Sequence, residues 1–287
     1  MKHILAIIIV SLTLVAQSAL ALPKPLLKLN QQSFLQLRPS GNLAAANFRA
    51  IVALSNCSGS LVRYAHSQGT DRAMVITNGH CLENSFLKPG EVRVNQASTR
   101  KFALLNDSGS RFATLTADLV LVATMTHTDI TLYRLTETYN EIIQKYNVQP
   151  LALASSHPVA STPIAVVSGY WKRVYSCQVD HFVFALREAE WTMRDSIKYT
   201  KPGCEVIGGT SGSPIINTNS YVIIGVNNTI NENGARCTMD NPCEVDEQGN
   251  VTVDKGGAYG QETFWLYGCL NQDRQIDLNQ PKCLLRP

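Results

Sequence analysis

Residues 208–215 read GGTSGSPI, two glycines followed by two hydroxyl-bearing residues around Ser211 and a closing proline. Such a run makes a turn, or it presents Ser211 as a nucleophile. A serine hydroxyl at its free pKa is a weak nucleophile and needs a general base within hydrogen-bond reach. Gly209 can adopt backbone angles closed to other residues, so its N–H and that of Ser211 can point together at a developing oxyanion. The chemistry is therefore decided by whether the rest of the chain supplies a base and an acid.

A base is offered by Val75-Ile76-Thr77-Asn78-Gly79-His80-Cys81, a strand-like apolar run that delivers a histidine beside a cysteine. A bridge from Cys57 to Cys81 would pin this turn and limit the travel of the imidazole. An acid is offered twice, by Asp129 at the head of DITLYRL (129–135) and by Asp118 at the head of DLVL (118–121). Either one functions only if its carboxylate is buried against the histidine, fixing the tautomer and stabilising the imidazolium. Local pattern alone does not separate them.

The order histidine, aspartate, serine is that of the chymotrypsin arrangement. CSGSLV (57–62), TNGHC (77–81), DITLYRL (129–135) and GGTSGSP (208–214) together resemble the motifs of the trypsin-like, chymotrypsin-fold serine proteases. YVIIGVNNTI (221–230) is similar to the strand that follows the nucleophile in the bacterial and HtrA-like branch. The likeness spans about residues 48–230. It implies an all-β protein of two six-stranded antiparallel barrels with the active site between them. It also implies Asp129, which follows THT just before the interdomain linker, as the acid. His80, Asp129 and Ser211 are then the triad, and Gly209 and Ser211 the oxyanion hole. An α/β-hydrolase is excluded, since no histidine follows Ser211, and a zincin is excluded by the lack of H-E-x-x-H.

The chain departs from the family at Thr210, where animal trypsins carry an aspartate that pairs with a freshly cut N-terminus. Ile51-Val52 lies too close to Cys57 to serve as that terminus, so activity is expected without a free ammonium group. Glu205, six residues before Ser211, stands where the resemblance places a pocket acid selecting basic side chains, with Asn227 and Asn228 as further pocket residues. Of the eight cysteines, the resemblance implies Cys57–Cys81. Cys237–Cys243 and Cys269–Cys283 close short loops, which leaves Cys177–Cys204, with Cys204–Cys237 as the competing pair.

Composition frames the rest. Residues 1–21 combine a basic start, an apolar core too short to span a bilayer and a small-residue cleavage pattern ending at Ala21, the marks of a cleavable signal peptide. A secreted or periplasmic product follows, and an even count of cysteines then reads as disulfides. Residues 22–45 are expected to be a propeptide or N-terminal arm, 46–140 the N-terminal barrel, 141–270 the C-terminal barrel, and 271–287 a disulfide-tied tail. The stretch TETYNEIIQKYNVQP (136–150) is the one break with helical character. A net charge of +3, scattered along the chain, points away from nucleic acid, and no stable membrane insertion is expected. No metal or organic cofactor is expected, because Cys-x-x-Cys and His-x-x-x-His pairs are absent. The function implied is an exported serine endopeptidase acting on polypeptides. The competing reading is a catalytically silent binding protein on the same scaffold. Oligomeric state is left open by the sequence.

Overall fold

A computed structural model describes residues 47–83 and 86–286. The expected signal peptide (1–21) and arm (22–45) lie outside the described residues. Short apolar runs rich in β-branched side chains become strands, as their composition dictates. The first seven are β1 (Ile51–Ala53), β2 (Ser58–Arg63), β3 (Arg72–Thr77), β4 (Val92–Ala97), β5 (Lys101–Leu105), β6 (Arg111–Thr124) and β7 (Ile130–Thr138). Their antiparallel pairings run β1–β5–β6–β7–β3–β2 and return to β1, which closes a six-stranded barrel. The long β6 serves two hairpin partners, pairing β5 through its first half and β4 through its second.

The chain then forms helix α1 (Tyr139–Tyr146), inside the stretch with helical character. Thr138 and Glu141 form a reciprocal capping box at its start, and Asn147 ends it in the left-handed region at φ 54°. The first sheet continues past the expected boundary at residue 140, because β8 (Leu151–Ala152) adds in parallel to β2.

The second half contributes β9 (Pro163–Ser168), β10 (Arg173–Glu188), β11 (Trp191–Tyr199), β12 (Pro214–Asn217), β13 (Ile223–Ile230), β14 (Cys243–Val245), β15 (Val251–Thr252) and β16 (Ala258–Glu262). Antiparallel pairs link β9–β10–β11–β16–β13–β12 and back to β9, a second closed ring of six. A β14–β15 hairpin hangs from β10. After the short helix α2 (Trp265–Gly268), the tail is tied back by Cys269–Cys283.

Alternation along a strand sends neighbouring side chains to opposite faces. On β3, Val75 enters the interior of the first barrel, whereas Met74 and Ile76 face outward. The outward set is buried too, joining Val167, Ile216, Ile223 and Val226 of the second barrel in one apolar layer. Both faces being covered, these strands read as continuous apolar runs. The interior of the second barrel is a separate cluster built on Ile164, Val166, Ile197, Tyr199 and Ile215.

Every cysteine is paired: Cys57–Cys81, Cys177–Cys204, Cys237–Cys243 and Cys269–Cys283. The competing Cys204–Cys237 pair is not formed. Such a set belongs to a protein that folds in an oxidising compartment. Among the described residues no helix is long and apolar enough to cross a membrane.

Cys57–Cys81 closes a loop with a sequence separation of 24. Replacing both residues by alanine is expected to cost about 3 to 4 kcal/mol of stability from the loop-closure entropy alone. Urea unfolding of the double variant beside the parent, without reductant, measures it.

Candidate active site

The loop after β3 carries His80, and the turn before β7 carries Asp129. β3 and β7 are neighbours in the first barrel, with Thr77 opposite Thr131, so their ends bring the two residues together. Asp129 is only 2% exposed. Its Oδ2 lies 2.6 Å from His80 Nδ1, and its Oδ1 accepts the His80 backbone N–H at 3.0 Å. One carboxylate therefore fixes both the ring and the peptide of the histidine. The rival Asp118 is engaged elsewhere, by the Arg134 guanidinium at 2.9 and 3.0 Å across the β6–β7 pair.

Burial opposes charge on His80, but the Asp129 charge and hydrogen bond, reinforced by Glu188 and Asp240, outweigh it. The imidazole pKa is raised above its ordinary value of 6.5 as a net result. The Phe86 ring meets the imidazole edge-on at 6.0 Å and Trp191 at 5.8 Å, walling one side of the site.

Ser211 belongs to the loop leading into β12 and lines the same cavity as His80 and Asp129. Its hydroxyl donates to the Asn228 carbonyl at 3.3 Å. Gly209 sits at φ +87°, backbone that L side chains rarely adopt. Neither its N–H nor that of Ser211 meets an acceptor among the described residues. Thr210 is buried: its hydroxyl donates to Ile207 O at 2.6 Å and accepts from Asn227 Nδ2 at 3.1 Å. Neutral hydrogen bonds thus occupy the position at which a family aspartate would form an ion pair.

The pocket expected from the sequence is only partly assembled. Asn227 and Asn228 line the cavity, but the Asn227 amide is consumed by Thr210 and by the Tyr199 hydroxyl. Glu205 does not reach it. The Cys177–Cys204 bridge buries Cys204, the next side chain turns out to solvent, and Val206 takes the inward place. Besides Asp129, the acids that line the cavity are Glu188, Glu232 and Asp240. Burial pushes Glu188 up to about 7, against the pull of hydrogen bonds from Thr229 and Asp240. These residues arrive from the end of β10 and the loop after β13, with no local motif to mark them.

Asn78 was equally silent as a sequence feature. Fully buried, it donates through Nδ2 to Asp129 O at 2.9 Å, and its Oδ1 accepts the Gly212 N–H. One side chain therefore locks the Asp129 turn to the Ser211 loop. Its position inside TNGHC is the available signal.

Residues 57–226 match the sequence profile of the trypsin-like peptidase domain. No curated protein matches the chain. Among solved structures it is similar to the active form of the Rv3671c protease from M. tuberculosis, at 13% identity and a TM-score of 0.45 over 88% of this chain and 90% of that one. It is also similar to Nocardiopsis protease (11%, TM-score 0.43, 76% of this chain and 92% of that). A third is the MamO protease domain from Magnetospirillum magneticum (14%, TM-score 0.44, 76% and 93%).

Asn78→Ala strands the buried Asp129 carbonyl and leaves the Gly212 N–H to the Asn227 carbonyl alone, which costs about 1–3 kcal/mol of stability. If the side chain positions the site, turnover on any substrate the chain cleaves falls by up to about 100-fold. KM stays near the parent value. Steady-state kinetics well below the unfolding temperature separates this from simple instability.

Proposed function

The chain belongs to the trypsin-like peptidase family, and on that premise we propose an exported serine endopeptidase with a triad of Ser211, His80 and Asp129. The observation that carries this reading is the 2.6 Å contact of His80 with the buried Asp129 in the cavity that Ser211 also lines. The Ser211 hydroxyl turns from Asn228 O to His80 Nε2, and such bonds tighten once substrate is bound. As Oγ attacks the scissile carbonyl, His80 takes its proton, while Asp129 holds the ring and stabilises the imidazolium. The N–H groups of Gly209 and Ser211 receive the developing oxyanion. His80 returns the proton to the leaving amine, and water then hydrolyses the acyl-enzyme by the same relay.

The signal-like pattern of residues 1–21 and the four disulfides support export. The neutral bonding of Thr210 supports activity without a cut N-terminus. Three carboxyl groups on the cavity wall, Glu188, Glu232 and Asp240, favour a cationic substrate side chain over a neutral or acidic one.

A fluorophosphonate probe is expected to label the folded protein at Ser211, and a peptide library to be cut next to basic residues. Ser211→Ala should abolish labelling and lower kcat by about 10⁶-fold. A parent protein that resists the probe and leaves every peptide intact is the silent binding protein instead.

The raised pKa of His80 fixes the sign of the pH response. The base works only when neutral, so kcat/KM should fall as the pH drops through a midpoint above 6.5. Glu188→Gln removes an anion that favours the imidazolium, so the midpoint should move to lower pH. A pH–rate profile of both proteins measures the shift.

A further inference from the structure

A second constellation lies in the second half of the chain, outside the cavity of the proposed triad. It joins His157 in the β8–β9 loop, Asp195 on β11 and Glu262 at the end of β16. His157 Nε2 is 3.1 Å from Asp195 Oδ2 and 3.2 Å from Glu262 Oε1. All three atoms lie within 4.8 Å of one another. The other ring nitrogen, Nδ1, is 2.6 Å from the Pro158 carbonyl. A carbonyl oxygen can only accept, so Nδ1 carries a proton, and without a second proton on the ring Nε2 turns a lone pair toward the two carboxylates.

Glu262 is 2% exposed. Its Oε2 accepts from Trp265 Nε1 at 3.2 Å, but its buried Oε1 has no hydrogen bond of normal geometry. Three acceptors converging on one point repel each other unless something positive sits among them. A shared proton would supply part of this. A divalent cation supplies all of it, bringing two charges to an imidazole and two carboxylates.

We propose that His157, Asp195 and Glu262 form a binding site for a zinc-type divalent cation. One imidazole nitrogen with two carboxylate oxygens is a donor set that suits Zn²⁺, whereas Ca²⁺ takes six to eight oxygens. The separations of 3.1 and 3.2 Å are close to the edge of about 3.3 Å of a tetrahedron with arms of about 2.0 Å. His157 and Asp195 side chains are 41% and 38% exposed, so a water can take the fourth position. The supporting contacts follow the pattern of metal centres, in which the unused atom of a ligand is held by an outer partner. Pro158 O holds the ring through Nδ1, and Trp265 Nε1 holds the carboxylate through Oε2. The rings of Phe182 and Phe264 pack on the imidazole at 4.3 and 5.5 Å and fix its plane. The ion would staple the β8–β9 loop to two strands of the second barrel.

The test uses full-length Ser211→Ala protein, which removes the proposed nucleophile and with it self-digestion, stripped with chelator and titrated with ZnCl₂. Calorimetry is expected to show one equivalent bound, and the unfolding temperature to rise with zinc concentration. Mg²⁺ should not reproduce either effect. Asp195→Asn and His157→Gln, at half-exposed positions, should remove the stoichiometric step while leaving the zinc-free unfolding temperature near the parent value. Glu262→Gln keeps the shape of the buried side chain and should also lose the step. A parent that takes up no equivalent of zinc overturns the proposal, as does uptake that survives all three substitutions.

Discussion

The structure turns on the seam where the loop bearing Ser211 docks onto the first barrel. Ser58 N–H donates to Ser211 O at 2.8 Å, and Gly212 N–H donates to Asn78 Oδ1. At Gly212, with φ +76°, an added Cβ would fall 2.2 Å from both Ser58 O and Thr77 Oγ1. Only a residue without a side chain lets the two barrels approach so closely. That approach sets a serine from one half beside a histidine and an aspartate from the other. Asn78 adds a second constraint by gripping Asp129 and Gly212 at once, so the parts of the site cannot drift independently.

Much of this was legible in the sequence because it is written locally. Barrel strands appear as apolar runs, residues 136–150 show helical character where α1 forms, and the order of three short motifs brings out His80, Asp129 and Ser211. The choice between Asp129 and Asp118 rested on resemblance alone. Its physical counterpart lies across a strand pair: Arg134 faces Asp118 and occupies it.

What stayed hidden depends on side chains distant in sequence. Counting six residues back from Ser211 leads to Glu205, which points to solvent because the neighbouring bridge claims the inward direction. Beyond Asp129, the cavity takes its acids instead from Glu188, Glu232 and Asp240, which share no spacing. The cluster of His157, Asp195 and Glu262 is dispersed in the same way: three separate segments create it, and no linear pattern of cysteine or histidine announces it.

The hydroxyl-and-amide bonding of Thr210 bears on how such a molecule can be governed. A latch built on an ion pair waits for a newly made terminus and responds to salt and proton concentration. Bonds among Thr210, Asn227 and Ile207 carry no charge and complete themselves as the chain folds. The Ser211 loop is set as the chain folds, so any restraint on it must come from outside the loop.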